Sequence, residues 1–284
     1  MLPSIANGFA LANGVTIPCI GLGTWQVPDD NGLVNVIHNA IELGYRHIDT
    51  AHIYGNERSV GKAVRTCGLP RNELFVTSKL WNTDRGYKSA LDAFNRTMDL
   101  LDIEYLDLYL MHWPAARGEA MTWQSINSGT WRAFEDIYAS GRVRAIGVSN
   151  FLVHHLVPLL ARAKIAPMVN QLEFHPGYMQ QPTVNFCKQR GIQVTAWSPL
   201  GRGALIRHPL LTEIAAKYNV TVSQLALRWC LQHGIAALPK SLNIEHQRTN
   251  SELFHFHIAP EDMQRLDSMP QCCFSGLDPD HVTF

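Results

Sequence analysis

Short apolar runs recur along the chain and alternate with longer stretches of helical periodicity. The runs are PCIGLG, RHIDT, LFVTS, LDLYLMH, VRAIGVS, MVNQ, QVTAW and IAALP, ending near positions 22, 49, 78, 112, 149, 171, 197 and 238. Between them, LVNVIHNAIELG, YKSALDAFNRTMDLL, GTWRAFEDIYASG and TVSQLALRWCLQHG repeat apolar residues at helical spacing, and Gly44, Gly141 and Gly234 fall where a helix would close. Ahead of this alternation, FALANGVTI reads as a hairpin turning at Asn13-Gly14. Strand and helix in regular alternation mean a parallel sheet. Eight such units without a composition break favour closure into a single (β/α)8 TIM barrel, of class α/β, with an N-terminal β-hairpin. One domain over 1–284 is expected.

Composition narrows the class. Hydrophobic residues make up 46% and charged residues 17%, enough for a large core. The 24 basic and 24 acidic residues balance to +0 with no basic stripe, so nucleic acid is not an expected partner. The six cysteines form neither a CxxC pair nor a regular framework, which points to reduced thiols and a cytoplasmic setting. No stretch approaches the roughly 20 apolar residues of a membrane span, and a monomer is expected.

Sites in barrels assemble at strand C-termini, so polar residues there carry information. Asp49, Lys79, His112, Ser149-Asn150, Gln171, Trp197-Ser198 and Lys240-Ser241 all fall at such positions, and Tyr54 follows Asp49 closely. Each has a bland reading alone, as a helix cap, a solvated lysine or a core histidine. Seven successive strands ending this way are hard to dismiss. Acid, phenol, amine and imidazole at one end of a barrel would deliver a proton to a carbonyl oxygen.

The motifs GLGTW, GYRHIDTAHIYGNE, TSKLWN, LYLMHWP, GVSNF, NQLEFHP, SPLGRG and LPKS, in this order over essentially the whole chain, resemble the aldo-keto reductases. The tail pattern resembles the bacterial branch that reduces 2,5-diketo-D-gluconate and methylglyoxal. The resemblance implies a barrel that binds a nicotinamide cofactor without a Rossmann fold, and no G-x-G-x-x-G occurs. It implies Tyr54 as proton donor, Lys79 as the cation lowering its pKa, Asp49 as the acid orienting that cation, and neutral His112 as the group fixing the carbonyl. A cation about 4 Å away at an effective dielectric near 20 is worth roughly 4 kcal/mol, opposed by desolvation.

The resemblance further implies that Trp197 stacks on the nicotinamide and that Ser149, Asn150 and Gln171 hold its carboxamide. Thr24 would lie beside the adjoining ribose, Trp25 and Asp49 would also belong to the cofactor site, and Ser198, Leu200, Gly201 and Gly203 would run along the pyrophosphate. Lys240, Ser241, Asn243, His246 and Asn250 would meet the adenosine end. A 2′-phosphate grip there implies NADPH. Where many relatives carry an arginine this chain has His246, which cannot form a bidentate fork. Weakened discrimination, with NADH possible, is therefore expected. Trp25, Tyr54, Trp81, His112 and Trp113 would wall the pocket for a small carbonyl substrate, such as a 2-oxoaldehyde, an aromatic aldehyde or a keto-sugar.

The short tail QCCFSGLDPDHVTF predicts an open site. Neither His154-His155 nor the FHFH histidines have the Glu or Cys partners a zinc site would want, so no metal is expected. Two other classes stay open: a nucleotide-binding regulatory or structural protein on the same barrel, and a metal-dependent barrel hydrolase.

Overall fold

A computed structural model describes residues 4, 5 and 7–282. The hairpin pairs β1 (Gly8–Ala10) with β2 (Thr16–Pro18), Phe9 opposite Ile17. Its turn runs from Leu11 to Gly14, closed by the Gly14 amide on the Leu11 carbonyl at 2.9 Å, with Gly14 alone in the turn at positive φ (85°). That is a three-residue loop with a glycine bulge, not a two-residue turn.

Eight parallel strands follow: β3 (Leu22–Gly23), β4 (His47–Asp49), β5 (Phe75–Leu80), β6 (Leu108–Met111), β7 (Ile146–Ser149), β8 (Val169–Glu173), β9 (Gln193–Trp197) and β10 (Ala236–Leu238). They lie in chain order, as right-handed crossovers dictate. The first and last meet through a parallel bridge between Ile20 and Ala237 and through the Gly23 amide on the Pro239 carbonyl at 3.0 Å, which closes the barrel.

Helices α1 (Asn31–Glu42), α2 (Glu57–Thr66), α3 (Tyr87–Leu101), α4 (Trp123–Ala139), α5 (Val153–Leu160), α6 (Gln181–Gln189), α7 (Pro209–Lys217), α8 (Val222–Gln232), α9 (Ile244–Ser251) and α10 (Pro260–Asp267) surround it. The alternation read from the pattern is present, with two helices between β9 and β10. Local chemistry starts these helices where the sequence allows. Asp30 accepts from the Leu33 amide at 3.1 Å, and Thr221 with Gln224 forms a reciprocal capping box. Gly61 lies inside α2 because α3 crosses there: a Cβ would sit 1.8 Å from the Leu101 carbonyl oxygen.

Period-two alternation sorts each strand into two faces. Val76 and Leu80 of β5, Ile48 of β4, and Tyr109 and Met111 of β6 join the large cluster packed under the helices. Phe75, Leu108, Leu110 and Val169 point inward, where Leu11 and Ile17 of the hairpin close the base. Lys79 lies inside β5 rather than after it, on the inward face with Phe75 and Thr77. No helix among the described residues is long and apolar enough to cross a membrane.

Candidate active site

The inward ladder of β5 climbs from the plugged base to the chemistry. Phe75 sits on the hairpin cluster, Thr77 bonds the buried His47 ring at 2.9 Å, and Lys79 comes next. Lys79 is fully buried and donates to the Asp49 carboxylate and, at 2.9 Å, to the Thr50 carbonyl. The other Asp49 oxygen accepts from Gln171 at 2.8 Å. A charge pair this deep persists only when its remaining polar atoms are also satisfied, and these bonds do that.

Tyr54 closes a short 3-10 turn (His52–Tyr54) that ends on Gly55. Its ring lies 5.1 Å from the Lys79 ammonium and meets the His112 ring edge-on, with centroids 5.8 Å apart. His112 extends β6 by one residue, and neither ring nitrogen has a hydrogen bond within the described residues. The four groups predicted to converge do so.

Burial opposes the charge on Lys79, but Asp49 and Tyr54 together outweigh it and hold the ammonium above its ordinary range. Burial, reinforced by Lys79, pushes His112 well down, so its ring is neutral. Tyr54 departs from expectation. Burial raises its pKa more than the charge of Lys79 lowers it, so the phenol stays above the ordinary tyrosine value. Lys79 moderates that rise instead of producing a net fall. The hydroxyl is therefore held as a neutral donor.

A cavity of about 940 Å³ opens over these groups. Thr24, Trp25, Asp49, Tyr54, Trp81, His112 and Trp113 line one end, and Ser149, Asn150, Gln171, Trp197, Ser198, Leu200, Gly203 and Lys240 line the rest. A hydrogen-bonded chain ties its floor together. Trp197 donates to Asn150 at 2.8 Å, Asn150 donates to Ser149 at 3.1 Å and to the His112 carbonyl at 3.0 Å, and Ser149 donates to the Gln171 carbonyl at 2.9 Å. With both amide hydrogens and the oxygen engaged, Asn150 serves as a brace, in left-handed backbone (φ 63°) that asparagine tolerates.

Arg202, not anticipated from sequence, also lines the cavity. Its guanidinium stands 5.1 Å from the Trp25 ring centroid and 5.9 Å from that of Trp197. The lining holds two cations, Arg202 and Lys240, and neither has a carboxylate at ion-pair distance among the described residues. The one acid, Asp49, is already neutralised by Lys79. An aromatic face followed by two uncompensated cations fits a dinucleotide carrying phosphates.

The remaining predicted cofactor residues stand apart from the cavity lining. Gly201 is buried beneath it, and Asn243 caps α9 through the amides of Glu245 (2.8 Å) and His246 (3.4 Å). The Ser241 hydroxyl donates to the Asn243 carbonyl at 3.1 Å, His246 is exposed, and Asn250 is buried.

The tail reaches the site. Leu277 lines the cavity, and Val282 is buried against Trp81 and Trp113, its carbonyl accepting from the Arg117 amide at 2.9 Å. The tail thus supplies part of the cavity wall. His154-His155 gain an acidic neighbour that the sequence reading did not name, Asp280 from that tail.

A closed parallel barrel presenting a buried acid–amine pair, a neutral phenol and a neutral imidazole to an aromatic groove defines a barrel enzyme built for proton donation. The family model described as "Aldo/keto reductase family" matches residues 19–270, and the chain belongs to that family of oxidoreductases. It is 45% identical over 284 residues to the glyoxal reductase of Bacillus subtilis (strain 168), covering 100% of each. Among solved structures, MGS-M4, an aldo-keto reductase enzyme from a Medee basin deep-sea metagenome library, superposes with TM-score 0.92 at 41% identity, over 98% of this chain and 100% of that one. A mutant of Gox0644 in complex with NADPH superposes with TM-score 0.89 at 37% identity, over 97% of this chain and 98% of that one.

Proposed function

We propose that this single-domain protein reduces small aldehydes and ketones to alcohols with NADPH, as a cytoplasmic monomer. The observation that carries the reading is the meeting of Tyr54, Lys79, Asp49 and His112 at one wall of an aromatic cavity that continues toward Arg202 and Lys240. The glyoxal reductase relative and the NADPH-bound neighbour support substrate class and cofactor.

When bound, the nicotinamide supplies the hydride. The chain's own groups do the rest. Trp197 offers a face for the ring, with Ser149 and Gln171 beside it to orient the carboxamide, and Arg202 and Lys240 offset phosphate charge. His112, uncharged, donates toward the carbonyl oxygen and fixes its angle. Tyr54 releases its proton to that oxygen, and the Lys79 ammonium, locked by Asp49, stabilises the phenolate left behind. Trp25, Trp81 and Trp113 exclude water from the reacting atoms.

The test is a panel of glyoxals, aromatic aldehydes and keto-sugars, followed by loss of the reduced cofactor's near-ultraviolet absorbance. Turnover with at least one carbonyl supports the reading. Tight NADPH binding with no oxidation across the panel would favour a nucleotide-binding regulatory protein instead.

A further inference from the structure

Outside the tetrad, one group of side chains brings together two histidines and an acid from distant parts of the chain. His154 and His155 begin α5, and Asp280 belongs to the tail. The Nε2 atoms lie 2.8 Å and 2.9 Å from the same Asp280 oxygen. His155 is fully buried, walled by Trp123 and Phe151 at ring-centroid distances of 4.8 Å and 5.8 Å. Its Nε2 lies within ion-pair distance of the carboxylate without hydrogen-bond geometry, and the hydrogen bond to Asp280 comes from His154 at 2.8 Å.

Two occupants of this group are chemically reasonable: a transition-metal ion, since three ligand atoms lie within 4.8 Å of one another, or the tail carboxylate alone. The tautomer separates them. His155 Nδ1 accepts from the Leu152 amide at 3.1 Å, capping α5. A neutral imidazole with its Nδ1 lone pair so engaged carries its hydrogen on Nε2 and has no lone pair there for a metal. The atom nearest that Nε2 in the group is a carboxylate oxygen, at 2.9 Å. Burial opposes the Asp280 charge, but the His154 hydrogen bond and both rings outweigh it and hold the carboxyl below the ordinary range.

The position of Asp280 gives the contact its consequence. It stands between Leu277, which lines the cavity, and Val282, which packs on Trp81 and Trp113. Upstream, Ser275 is bonded to Glu173 at 2.6 Å and 2.9 Å. The stretch over the cavity is thus held at both ends, and Asp280 is the charged fastening at its far end.

We propose that Asp280, gripped by His154 and His155, is a positioning residue for substrate: it pins Leu277 and Val282 against the tryptophan wall and so sets the size of the carbonyl the site accepts. This rests on the carbonyl-reductase reading above.

Asp280→Ala, Asp280→Asn and His154→Gln are compared with wild type in three measurements. The first is hydrogen exchange over 275–282 without ligand. The second is KM and kcat for a small 2-oxoaldehyde and for a bulky aromatic aldehyde. The third is NADPH affinity by tryptophan fluorescence. Asp280→Ala is expected to speed tail exchange about tenfold and raise KM for the small substrate by a similar factor, the cost of one charge-assisted bond. The KM ratio of bulky to small substrate should fall, kcat and NADPH affinity should stay within about twofold, and Asp280→Asn should recover part of the loss. Unchanged exchange, unchanged KM, or parallel losses in kcat and NADPH affinity would each overturn the proposal. If Asp280→Ala does not fold, the surface variant His154→Gln is expected to shift the same readouts less far. Stoichiometric zinc binding that slows tail exchange in wild type and is lost in both Asp280→Ala and His154→Gln would replace the direct contact with a metal bridge. Wild type inert to every carbonyl would remove the functional reading, while the exchange arm would still decide the fastening.

Discussion

The two ends of the cavity are built on opposite terms. At the tetrad end, Lys79 and Asp49 are 0% and 3% exposed, and their polar contacts are supplied by the barrel itself. At the far end Lys240 is exposed, as are Asn243 and His246 outside the lining, and the polar contacts of Ser241 and Asn243 serve the cap of α9. Charge placed in a dry, preorganised frame acts strongly on whatever reacts there. Charge on the surface is screened and adds affinity in small increments. On the proposed reading, the first end would set whether the reaction runs, and the second which nucleotide is preferred.

The largest effect that would break this division is at Tyr54. Tyr54→Phe removes the donor and keeps the ring, so kcat should fall by about 10²–10⁴-fold while NADPH affinity stays within about twofold. Single-turnover and fluorescence-binding measurements on the same variant check both halves. Near-wild-type turnover would remove the phenol from the chemistry. The raised pKa of Tyr54 adds a pH condition: the hydroxyl remains protonated through neutrality, and an alkaline loss of activity from this group should begin only above the ordinary tyrosine range.

Lys79 tests commitment of the frame itself. Lys79→Met leaves Asp49 buried and charged with only Gln171 for company, a loss of about 3–5 kcal/mol, read as a lower denaturation midpoint. Adding Asp49→Asn should recover part of that stability and none of the activity. A single variant as stable as wild type would mean the pair is more hydrated than its burial indicates.

The same contrast decides what could be read from the chain. Asp49, Lys79 and His112 were legible because period-two strands put inward residues at predictable positions and sites gather at strand ends. Their pairing with Gln171, 122 residues from Asp49, needed the barrel closed. The sign of the Tyr54 shift was misread because it depends on how deeply the ring is buried, which spacing does not give. Arg202 escaped notice because a loop in left-handed backbone (φ 53°) has no period to read. Asp280 was invisible as a partner of His154, which lies 126 residues earlier. The Asn243 cap, in contrast, was recoverable from asparagine opening a polar helix with glutamate two residues on.

Neutral histidines inside the barrel carry a stability signature of their own. Burial lowers the His47 pKa to about 4 from 6.5. The unfolded chain binds that proton first, so stability is complete above pH 6.5 and declines as pH falls toward 4, by about 3 kcal/mol from this residue. Denaturation midpoints at several values in this window should drop steadily in wild type, and His47→Asn should flatten the slope. Parallel slopes would place the titration elsewhere.

The smallest effect, at the exposed end, sharpens the contrast most. On the proposed reading, His246 would leave the 2′-phosphate without a bidentate partner, and Lys240 would act as a lone point charge. Lys240→Ala should weaken NADPH about tenfold and leave NADH nearly unchanged. His246→Arg should raise the NADPH to NADH affinity ratio by only about two- to fivefold, the yield of an exposed ion pair. Both shifts should shrink at high salt, because exposed charges are screened within about 10 Å at 0.1 M. The tetrad variants should show no such salt dependence. A His246→Arg gain of a hundredfold, or one indifferent to salt, would mean that bound nucleotide buries this end as deeply as the other.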